Sequence, residues 1–184
     1  MGLDQAVTGT RLVAGIGFRH GVPPDAIVAL IRRAIAQAAC EGALVAIATA
    51  ADRADEPAIR DAAGAFGLTP VAVDAEALRT VDPRVPTRSA RIERSRGVGS
   101  LAEAAALAVA GETGRLILAR IDDGRATCAL AALGLASDEA MREADEARAL
   151  YRPPSAGVGK GAGAVSRSKT PISQRARAAQ IVTA

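Results

Sequence analysis

Short apolar runs alternate with segments of helical period along most of this chain. The apolar runs predict strands at residues 11–16, 43–48, 69–73 and 116–121. The helical periods predict helices at residues 24–40, 57–66, 75–78 and 101–110, and a charge-rich peripheral helix at residues 138–151. Gly42 is expected to end the first of these helices, and Asp74 is expected to cap the third. Pro70 favours an edge position for the third strand, because proline donates no hydrogen bond to a strand ladder.

A hairpin is predicted near the end of this alternation. Asp123-Gly124 follows the fourth strand and is a strong two-residue turn signal, so residues 125–133 are the expected antiparallel partner. Strands that alternate with helices are typical of parallel sheets covered on both faces. The pattern therefore predicts a three-layer α/β/α fold with a mixed, mostly parallel sheet that ends in an antiparallel hairpin.

Residues 81–96 interrupt the pattern. Pro83 and Pro86 break regular structure there, and the segment is rich in arginine at positions 84, 88, 91, 94 and 96. We expect a long surface loop with a brief strand near residues 89–92. A loop of this length inside a compact domain is often functional.

Charge and composition divide the chain near residue 150. Residues 151–184 contain six basic residues, no acid and many glycines, whereas the residues before them carry more acids than bases. Burial would not recover the entropy of ordering such a tail. We predict an α/β domain at residues 1–150 and a disordered tail at residues 151–184, and we expect the residues after Pro154 to be dispensable for folding. The tail is expected to increase solubility; contact with nucleic acid or with an anionic surface is the alternative.

Composition also excludes some classes of protein. Aromatic residues are only 2% of the chain, which leaves few platforms for stacking bases and argues against a nucleic-acid partner. The longest apolar run, residues 43–51, is too short to span a membrane, and residues 1–10 lack an export signal. Cys40 and Cys128 lie among apolar residues and are expected to be reduced core thiols, which favours the cytoplasm.

The first of three polar, glycine-marked loops follows the first strand. Gly15, Gly17 and Gly21 allow a tight turn and a close approach of backbone to a ligand. Arg19 and His20 add positive charge or donors, and the start of the next helix adds free N–H groups. The loop therefore suits a carboxylate or a phosphate. A tight turn that binds nothing is the alternative.

The second loop places acids at the start of a helix. Asp55 and Glu56 follow Arg53, and acids at this position are favoured by capping and by the helix dipole. They are equally suited to act as a general base or to hold a ligand amide. Both interpretations stay open.

The third loop opens the helix at residues 101–110. Ser100 and Glu103 have the spacing of a capping box, which accounts for both residues without any ligand. Gly97 and Gly99 are not explained by capping and suggest a close approach of backbone to a ligand.

Few other signals of chemistry are present. His20 is the only histidine, no Cys-x-x-Cys pair occurs and no serine lies in a nucleophile elbow, so we expect no metal and no cofactor. The first loop misses the dinucleotide fingerprint because its third glycine is one place late. Asp52 after the second strand keeps a nucleotide-binding module as a weaker alternative.

The order and spacing of the three loops carry a family resemblance. Residues 15–21, 53–56 and 97–105, with the strand at residues 127–131, resemble the C-terminal domain of the cobalamin biosynthesis protein CbiG and the stand-alone CobE family. The resemblance covers about residues 13–133. This chain departs from the family pattern in having Val22-Pro23-Pro24 after the first loop, and Arg53 where lysine is frequent.

The resemblance implies a role in building the corrin ring. It implies that the three loops bind a tetrapyrrole (precorrin) intermediate, and that other corrin-pathway enzymes are partners. Arg19, His20 and the arginines of residues 81–96 would meet its acetate and propionate groups. CbiG opens a ring lactone and releases acetaldehyde, but this chain is expected to lack the N-terminal regions of CbiG. Lactone hydrolysis, with Asp55, Glu56 or His20 assisting water, is therefore the alternative to binding alone.

Overall fold

The computed structural model describes residues 10–134, 139, 141–143 and 146. Within them, the strands of the sheet are β1 (Thr10–Phe18), β2 (Gly42–Ala50), β3 (Pro70–Val73), β4 (Arg115–Asp122) and β5 (Ala126–Ala132). The α-helices are α1 (Pro24–Ala38), α2 (Pro57–Gly64), α3 (Ala75–Val81), α4 (Ala90–Arg96) and α5 (Leu101–Ala110). The predicted tail, and most of the helix predicted at residues 138–151, lie outside the described residues.

The sheet is mixed, with the strand order β3-β2-β1-β5-β4. The first three strands run parallel to one another, and β5 pairs antiparallel with both β1 and β4. The predicted α/β fold and its hairpin are therefore confirmed, and β3 lies at the edge as Pro70 indicated. In chain order the hairpin comes last, but its second strand lies beside β1 and not at an edge of the sheet.

The two faces of the sheet bury separate cores. Helices α1 and α2 cover one face over Ile16, Ile47 and Leu130. Helices α3 and α5 cover the other face, where alanines of α5 lie on small side chains of β1, β2 and β5. Gly15 makes this packing possible, because a Cβ atom there would overlap the backbone carbonyl oxygen of Ala102. Gly15 in β1 and the alanines of α5 therefore allow the α5 backbone to lie directly against the sheet.

The arginine-rich segment differs from the prediction. A 3₁₀ turn forms at Asp82–Arg84, and α4 occupies the place where a brief strand was expected near residues 89–92, so that expectation was wrong. The five-stranded sheet includes no residue of this segment, and α4 forms between the 3₁₀ turn and α5. A helix satisfies its own backbone groups and turns Ile92 towards the core.

The start of α3 agrees with the sequence prediction, and the end of α1 differs from it by a few residues. The Asp74 side chain accepts a 2.7 Å hydrogen bond from the Ala77 backbone N–H and caps α3. The residue that follows α1 is Ala39, and it ends the helix by adopting a left-handed φ of 46°. Gly42, which was expected to end this helix, is instead the first residue of β2. No helix in the described part of the chain has the length and apolar character needed to cross a bilayer.

Candidate functional site

An open cleft of about 620 Å³ lies at the carboxyl ends of β1 and β4. Its walls are the end of β1 with the following loop, the tip of the β4–β5 hairpin, one side of α4 and the first residue of α5. The strand order changes direction between β1 and β5. In α/β sheets, ligands bind at such a point because the loops on the two sides diverge and leave a crevice.

Arginine dominates the lining of this cleft. The basic side chains that border it are Arg19, His20, Arg53, Arg91, Arg96, Arg120 and Arg125. Asp122 is the acidic residue among the lining, and its carboxylate accepts a hydrogen bond from the Gly124 N–H at 3.2 Å. Among the described residues no group of three His, Cys, Asp or Glu side chains is arranged to hold a metal ion. The cleft is therefore suited to an anion.

Four of these guanidinium groups are unengaged by any residue that the structure describes. Within the described part of the chain, the side chains of Arg19, Arg91, Arg120 and Arg125 have no ion-pair or hydrogen-bond partner. Arginine stays charged at any working pH and presents paired donors that match a carboxylate. These four residues are consequently available to a ligand.

Arg53 is held as part of the wall. Its side chain is 13% exposed, and its guanidinium carbon lies 4.6 Å from the centroid of the Phe18 ring. It donates a 3.1 Å hydrogen bond to the Phe18 carbonyl oxygen and pairs with the Glu56 carboxylate. Its charge is therefore largely balanced within the protein, and the second loop reaches the cleft through this residue.

The acids of the second loop lie outside the cleft lining. Glu56 contacts Arg53 and also lies 3.3 Å from Nδ1 of His20, whose side chain is 82% exposed. Neither Asp55 nor Glu56 lines the cleft, and the Glu56 side chain does not cap α2. Glu56 thus contacts two basic side chains at the mouth of the cleft.

Arg96 ties α4 to the segment that follows β2. One of its terminal nitrogens lies 2.7 and 2.8 Å from the two carboxylate oxygens of Asp52. The hydrogen bond from Arg96 holds the pKa of Asp52 below its usual range. Asp52 is therefore engaged by the protein, which leaves the nucleotide alternative without the acid that would hold a ribose.

The side chain of Asp82 holds the backbone of the third loop in place. Its carboxylate accepts a 2.7 Å hydrogen bond from the Gly99 N–H and a 2.9 Å bond from Arg88. Burial raises the pKa of Asp82, but these two bonds outweigh it and the net shift is downwards. A Cβ atom at Gly99 would lie 2.6 Å from the Thr87 carbonyl oxygen, so the close approach at this glycine is to the protein itself.

The predicted capping box does not form. Ser100 is the N-cap residue of α5, but its hydroxyl makes no cap bond and is buried without a partner among the described residues. Glu103 turns inward and is completely buried. The carboxylate of Glu103 has better partners than the helix start: the backbone N–H and hydroxyl of Thr87, at 3.0 and 2.6 Å, and the N–H of Arg120, at 2.8 Å.

The bulged strand β4 explains why Glu103 is needed. Between Leu118 and Ile121 the strand carries one residue more than its partner β5, so the Arg120 N–H leaves the regular ladder. Glu103 accepts from that N–H and from the segment leading to α4 at the same time. One buried carboxylate therefore connects two walls of the cleft.

The structure separates the predicted site residues into two groups. Gly17, Arg19, His20 and Arg53 line the cleft. The others lie beside or beneath it and shape the backbone or contact the wall; they are Gly15, Gly21, Asp55, Glu56, Gly97, Gly99 and Ser100. The ends of all three loops meet at one edge of the sheet, since a Cβ atom at Gly17 would lie 3.7 Å from Leu101.

Sequence reasoning missed the hairpin side of the cleft. Arg120, Asp122 and Arg125 line it, and the Arg19 N–H donates to the Arg125 carbonyl oxygen at 3.0 Å. The Asp123-Gly124 turn marked the hairpin, but only the pairing of β5 with β1 brings its tip beside the first loop. Of the arginines in residues 81–96, only Arg91 and Arg96 are among the cleft-lining residues.

Comparisons with known proteins identify the family to which the chain is similar. The family described as "Cobalamin synthesis G C-terminus" matches residues 12–131. Protein CobE from a Sinorhizobium species is 35% identical over 140 residues, which covers 76% of this chain and 91% of CobE.

Solved structures give the same result for the fold. The crystal structure of a CobE from the cobalamin (vitamin B12) biosynthetic pathway has a TM-score of 0.63 and 34% identity, covering 68% of this chain and 92% of that one. The cobalamin biosynthesis protein ChiG from Agrobacterium tumefaciens str. C58 has a TM-score of 0.53 and 36% identity, covering 65% of this chain and 96% of that one.

Proposed function

This chain belongs to the family of the cobalamin synthesis protein G C-terminus, and we propose that it serves cobalamin biosynthesis by binding a tetrapyrrole intermediate in the arginine-lined cleft. The role in cobalamin biosynthesis rests on the family and on the names of its CobE relatives. Three points are proposed beyond that role: the ligand is a tetrapyrrole, it binds in the cleft, and the protein does not change it chemically.

The observation that carries the proposal is a set of four arginines around one cleft that have no partner among the described residues. Corrin precursors carry acetate and propionate side chains around a large ring. Charge-assisted hydrogen bonds from Arg19, Arg91, Arg120 and Arg125 to such carboxylates are stronger than neutral ones. A ligand with several carboxylates on one frame matches this arrangement better than a ligand with a single anionic group.

The uncharged part of the lining supports a ring-shaped ligand. Phe18, Ile92 and Leu101 border the cleft and are partly exposed, so they offer an apolar surface below the arginines. A volume of about 620 Å³ is within the usual range for ligand pockets, and it suits one side of a macrocycle better than the whole. The intermediate is expected to lie with its other side open to solvent or to a partner enzyme.

The positions of the acids favour binding over hydrolysis. Glu56 is shared by Arg53 and His20, and Asp55 lies outside the cleft lining. A general base must reach the water that it activates, and neither acid is placed to do so from the cleft wall. We therefore propose a protein that holds or delivers an intermediate unchanged.

Co-elution with intermediates tests the proposal. Purified protein is incubated with individual corrin-pathway intermediates, with and without cobalt, and separated by gel filtration while pigment absorbance is recorded. Mass spectrometry of the bound and free pigment, and of the released small molecules, detects any loss of a fragment. The expected result is that at least one intermediate elutes with the protein at unchanged mass.

A matched pair of variants serves as the control. Arg91 lines the cleft, whereas Arg94 lies on the same helix, is exposed and does not line it. Arg91→Gln should reduce pigment co-elution and Arg94→Gln should not. Failure of every intermediate to co-elute would overturn the binding proposal, and release of acetaldehyde would overturn the claim that the ligand is unchanged.

A further inference from the structure

Helix α4 is attached to the rest of the protein at its two ends. At its start, the Ser89 N–H donates a 2.9 Å hydrogen bond to the Gly99 carbonyl oxygen. At its end, the chain turns at Gly97, whose φ is 72°, and returns through Val98, which is completely buried. The two segments that flank α4 are therefore fixed, and the helix spans the distance between them.

Between those ends, α4 packs only lightly. None of its residues is buried, and Ile92 contacts a core while staying partly exposed. Glu93 pairs with Arg88 at 2.6 Å, but Arg88 precedes the fixed start of the helix and leaves the far end free. A helix that buries no side chain loses little when it moves away from the protein.

An ion pair ties the far end of α4 to the segment that follows β2. Arg96 lies 2.7 Å from the Asp52 carboxylate, and the two side chains are 28% and 58% exposed. Ion pairs that are this exposed contribute little and are screened by salt. The pair of Arg96 and Asp52, which we call the latch, therefore breaks and re-forms at low cost.

One face of α4 is a wall of the cleft. Arg91, Ile92, Ser95 and Arg96 all line it. Movement of α4 away from the protein would widen the cleft, and its return would cover a bound molecule and exclude water. A wall that is held at two points and by one weak pair is suited to such a movement.

We infer that α4 is a hinged flap, which swings about its two attached ends to admit and release the ligand of the cleft and is held in place by the latch. Gly97 serves as one hinge, because glycine accommodates changes of φ that other residues resist. The flap follows from the attachments of α4, whereas its action as a gate rests on the proposed function.

Thiol labelling of the inner face measures the opening of the flap without any ligand. The full chain carries Cys40→Ser, which removes the half-buried native thiol, together with Ile92→Cys on the inner face or Arg94→Cys on the outer face. A bulky maleimide is the reagent, and the completely buried Cys128 reports global unfolding. The thiol from Ile92→Cys should react more slowly than that from Arg94→Cys and faster than Cys128.

The latch is tested by adding Asp52→Asn. Labelling at Ile92→Cys should become about two- to fivefold faster, which is the range that an exposed ion pair contributes. Labelling at Arg94→Cys should not change, and added salt should bring the parent rate towards that of Asp52→Asn. Asp55→Asn removes an exposed charge nearby and is the matched control, with no expected effect on labelling.

Release of a bound tetrapyrrole tests the gate. Uroporphyrin is the probe, and its release from the full chain is followed by fluorescence in a stopped-flow chase. Asp52→Asn should speed release about two- to fivefold, since the flap is open more often. Loss of a negative charge beside the cleft would by itself retain an anion longer, so faster release cannot come from the charge alone.

Each outcome has a definite consequence. Equal labelling at Ile92→Cys and Arg94→Cys, or labelling at Ile92→Cys as slow as at Cys128, overturns the flap. Unchanged labelling in Asp52→Asn overturns the latch, and unchanged or slower release overturns the gate. If neither uroporphyrin nor any corrin intermediate binds, the proposed function and the gate both fall, while labelling still decides whether α4 is a flap.

Discussion

At the scale of single residues, the same side-chain type serves two purposes in this cleft. Arg53 and Arg96 are fixed by Glu56 and Asp52, whereas Arg19 points into the same space without a partner among the described residues. An engaged arginine contributes its planar guanidinium group and its donors to the wall of the cleft. An unengaged arginine keeps its donors for a ligand.

The first prediction concerns the two basic residues of the first loop. Arg19→Ala should weaken binding of a corrin intermediate roughly tenfold or more, because it removes a charge-assisted hydrogen bond worth about 1.5–3 kcal/mol. His20→Ala should matter less, since an imidazole offers fewer donors than a guanidinium and Glu56 already contacts the His20 ring. Absorbance titrations of both variants measure this.

An unchanged affinity in Arg19→Ala, with the far-ultraviolet circular dichroism of the parent, would mean that the first loop is only a turn. The ligand would then have to be sought on the hairpin or on α4. Arg60 lies on α2, is exposed and does not line the cleft, so Arg60→Ala is the matched control for the loss of one arginine.

The second prediction concerns the hydroxyl of Ser100. A capping serine replaced by alanine would cost about 1 kcal/mol of unfolding free energy. Here the hydroxyl is buried without a partner in the part of the chain that the structure describes, so Ser100→Ala should be neutral or should stabilise the protein. Denaturant unfolding of both proteins decides the sign, and a clear destabilisation would show that the hydroxyl is bonded in solution.

At the scale of elements, the walls of the cleft depend on one buried carboxylate. Glu103 of α5 accepts from Thr87, which leads to α4, and from the backbone of β4 at Arg120. These three elements make no regular ladder with one another. A buried acceptor with three donors therefore sets the separation of the walls more firmly than apolar packing alone.

The third prediction follows from that arrangement. Glu103→Gln keeps the shape of the side chain but directs an amide N–H₂ at a donor, so the unfolding free energy should fall by roughly 2–3 kcal/mol. Ligand affinity should fall as well, because Arg120 and the segment before α4 lose a fixed position. Chemical unfolding and ligand titration of the same preparation measure the two effects.

Thr87→Ser is the matched control, since it keeps the hydroxyl and the backbone N–H that Glu103 uses. It should bind ligand much as the parent does, whereas Thr87→Val should lose part of both stability and affinity. If Glu103→Gln and the parent unfold at the same denaturant concentration, the three hydrogen bonds do not hold the walls.

At the scale of the whole molecule, the cleft joins segments that are far apart in sequence. Arg96 pairs with Asp52 across 44 positions, and the Thr127 hydroxyl donates to the Gly17 carbonyl oxygen across 110 positions. The sheet order brings the ends of β1, β2 and β4 to one edge. The site therefore exists only when the whole sheet has formed.

The fourth prediction is a pH dependence of the pair between α4 and the segment after β2. The bond from Arg96 lowers the pKa of Asp52 in the folded state, so its stabilising contribution is present above the ordinary pKa of aspartate and is lost as the pH falls through the lowered value. The difference in unfolding free energy between the parent and Asp52→Asn should therefore shrink from about pH 6 to about pH 3.

Asp55→Asn is the control for this titration, because Asp55 is exposed nearby and has no ion pair among the described residues. Its difference from the parent should change little over the same pH range. A parent–Asp52→Asn difference that stays constant on acidification would show that the pair does not persist in solution. Added salt should weaken the pair as well.

The sequence by itself determined the elements and the family. Apolar runs located the strands, Asp74 marked a helix start, and Asp123-Gly124 marked the hairpin, because each of these signals acts through residues close in the chain. The order of the three loops gave the resemblance to the CbiG C-terminal domain and to CobE, which the comparisons confirm.

Only the tertiary structure decided how those elements share their polar groups. Ser100 and Glu103 have ideal capping spacing, yet Glu103 bonds to Thr87 and Arg120, which no local pattern connects to it. Five arginines within residues 81–96 look alike in sequence, but Arg91 lines the cleft with no partner among the described residues, while Arg88 pairs with Asp82 and Glu93. Local propensity acts over a few residues, whereas the partner of a charged side chain depends on which distant segments the sheet order brings within hydrogen-bond distance.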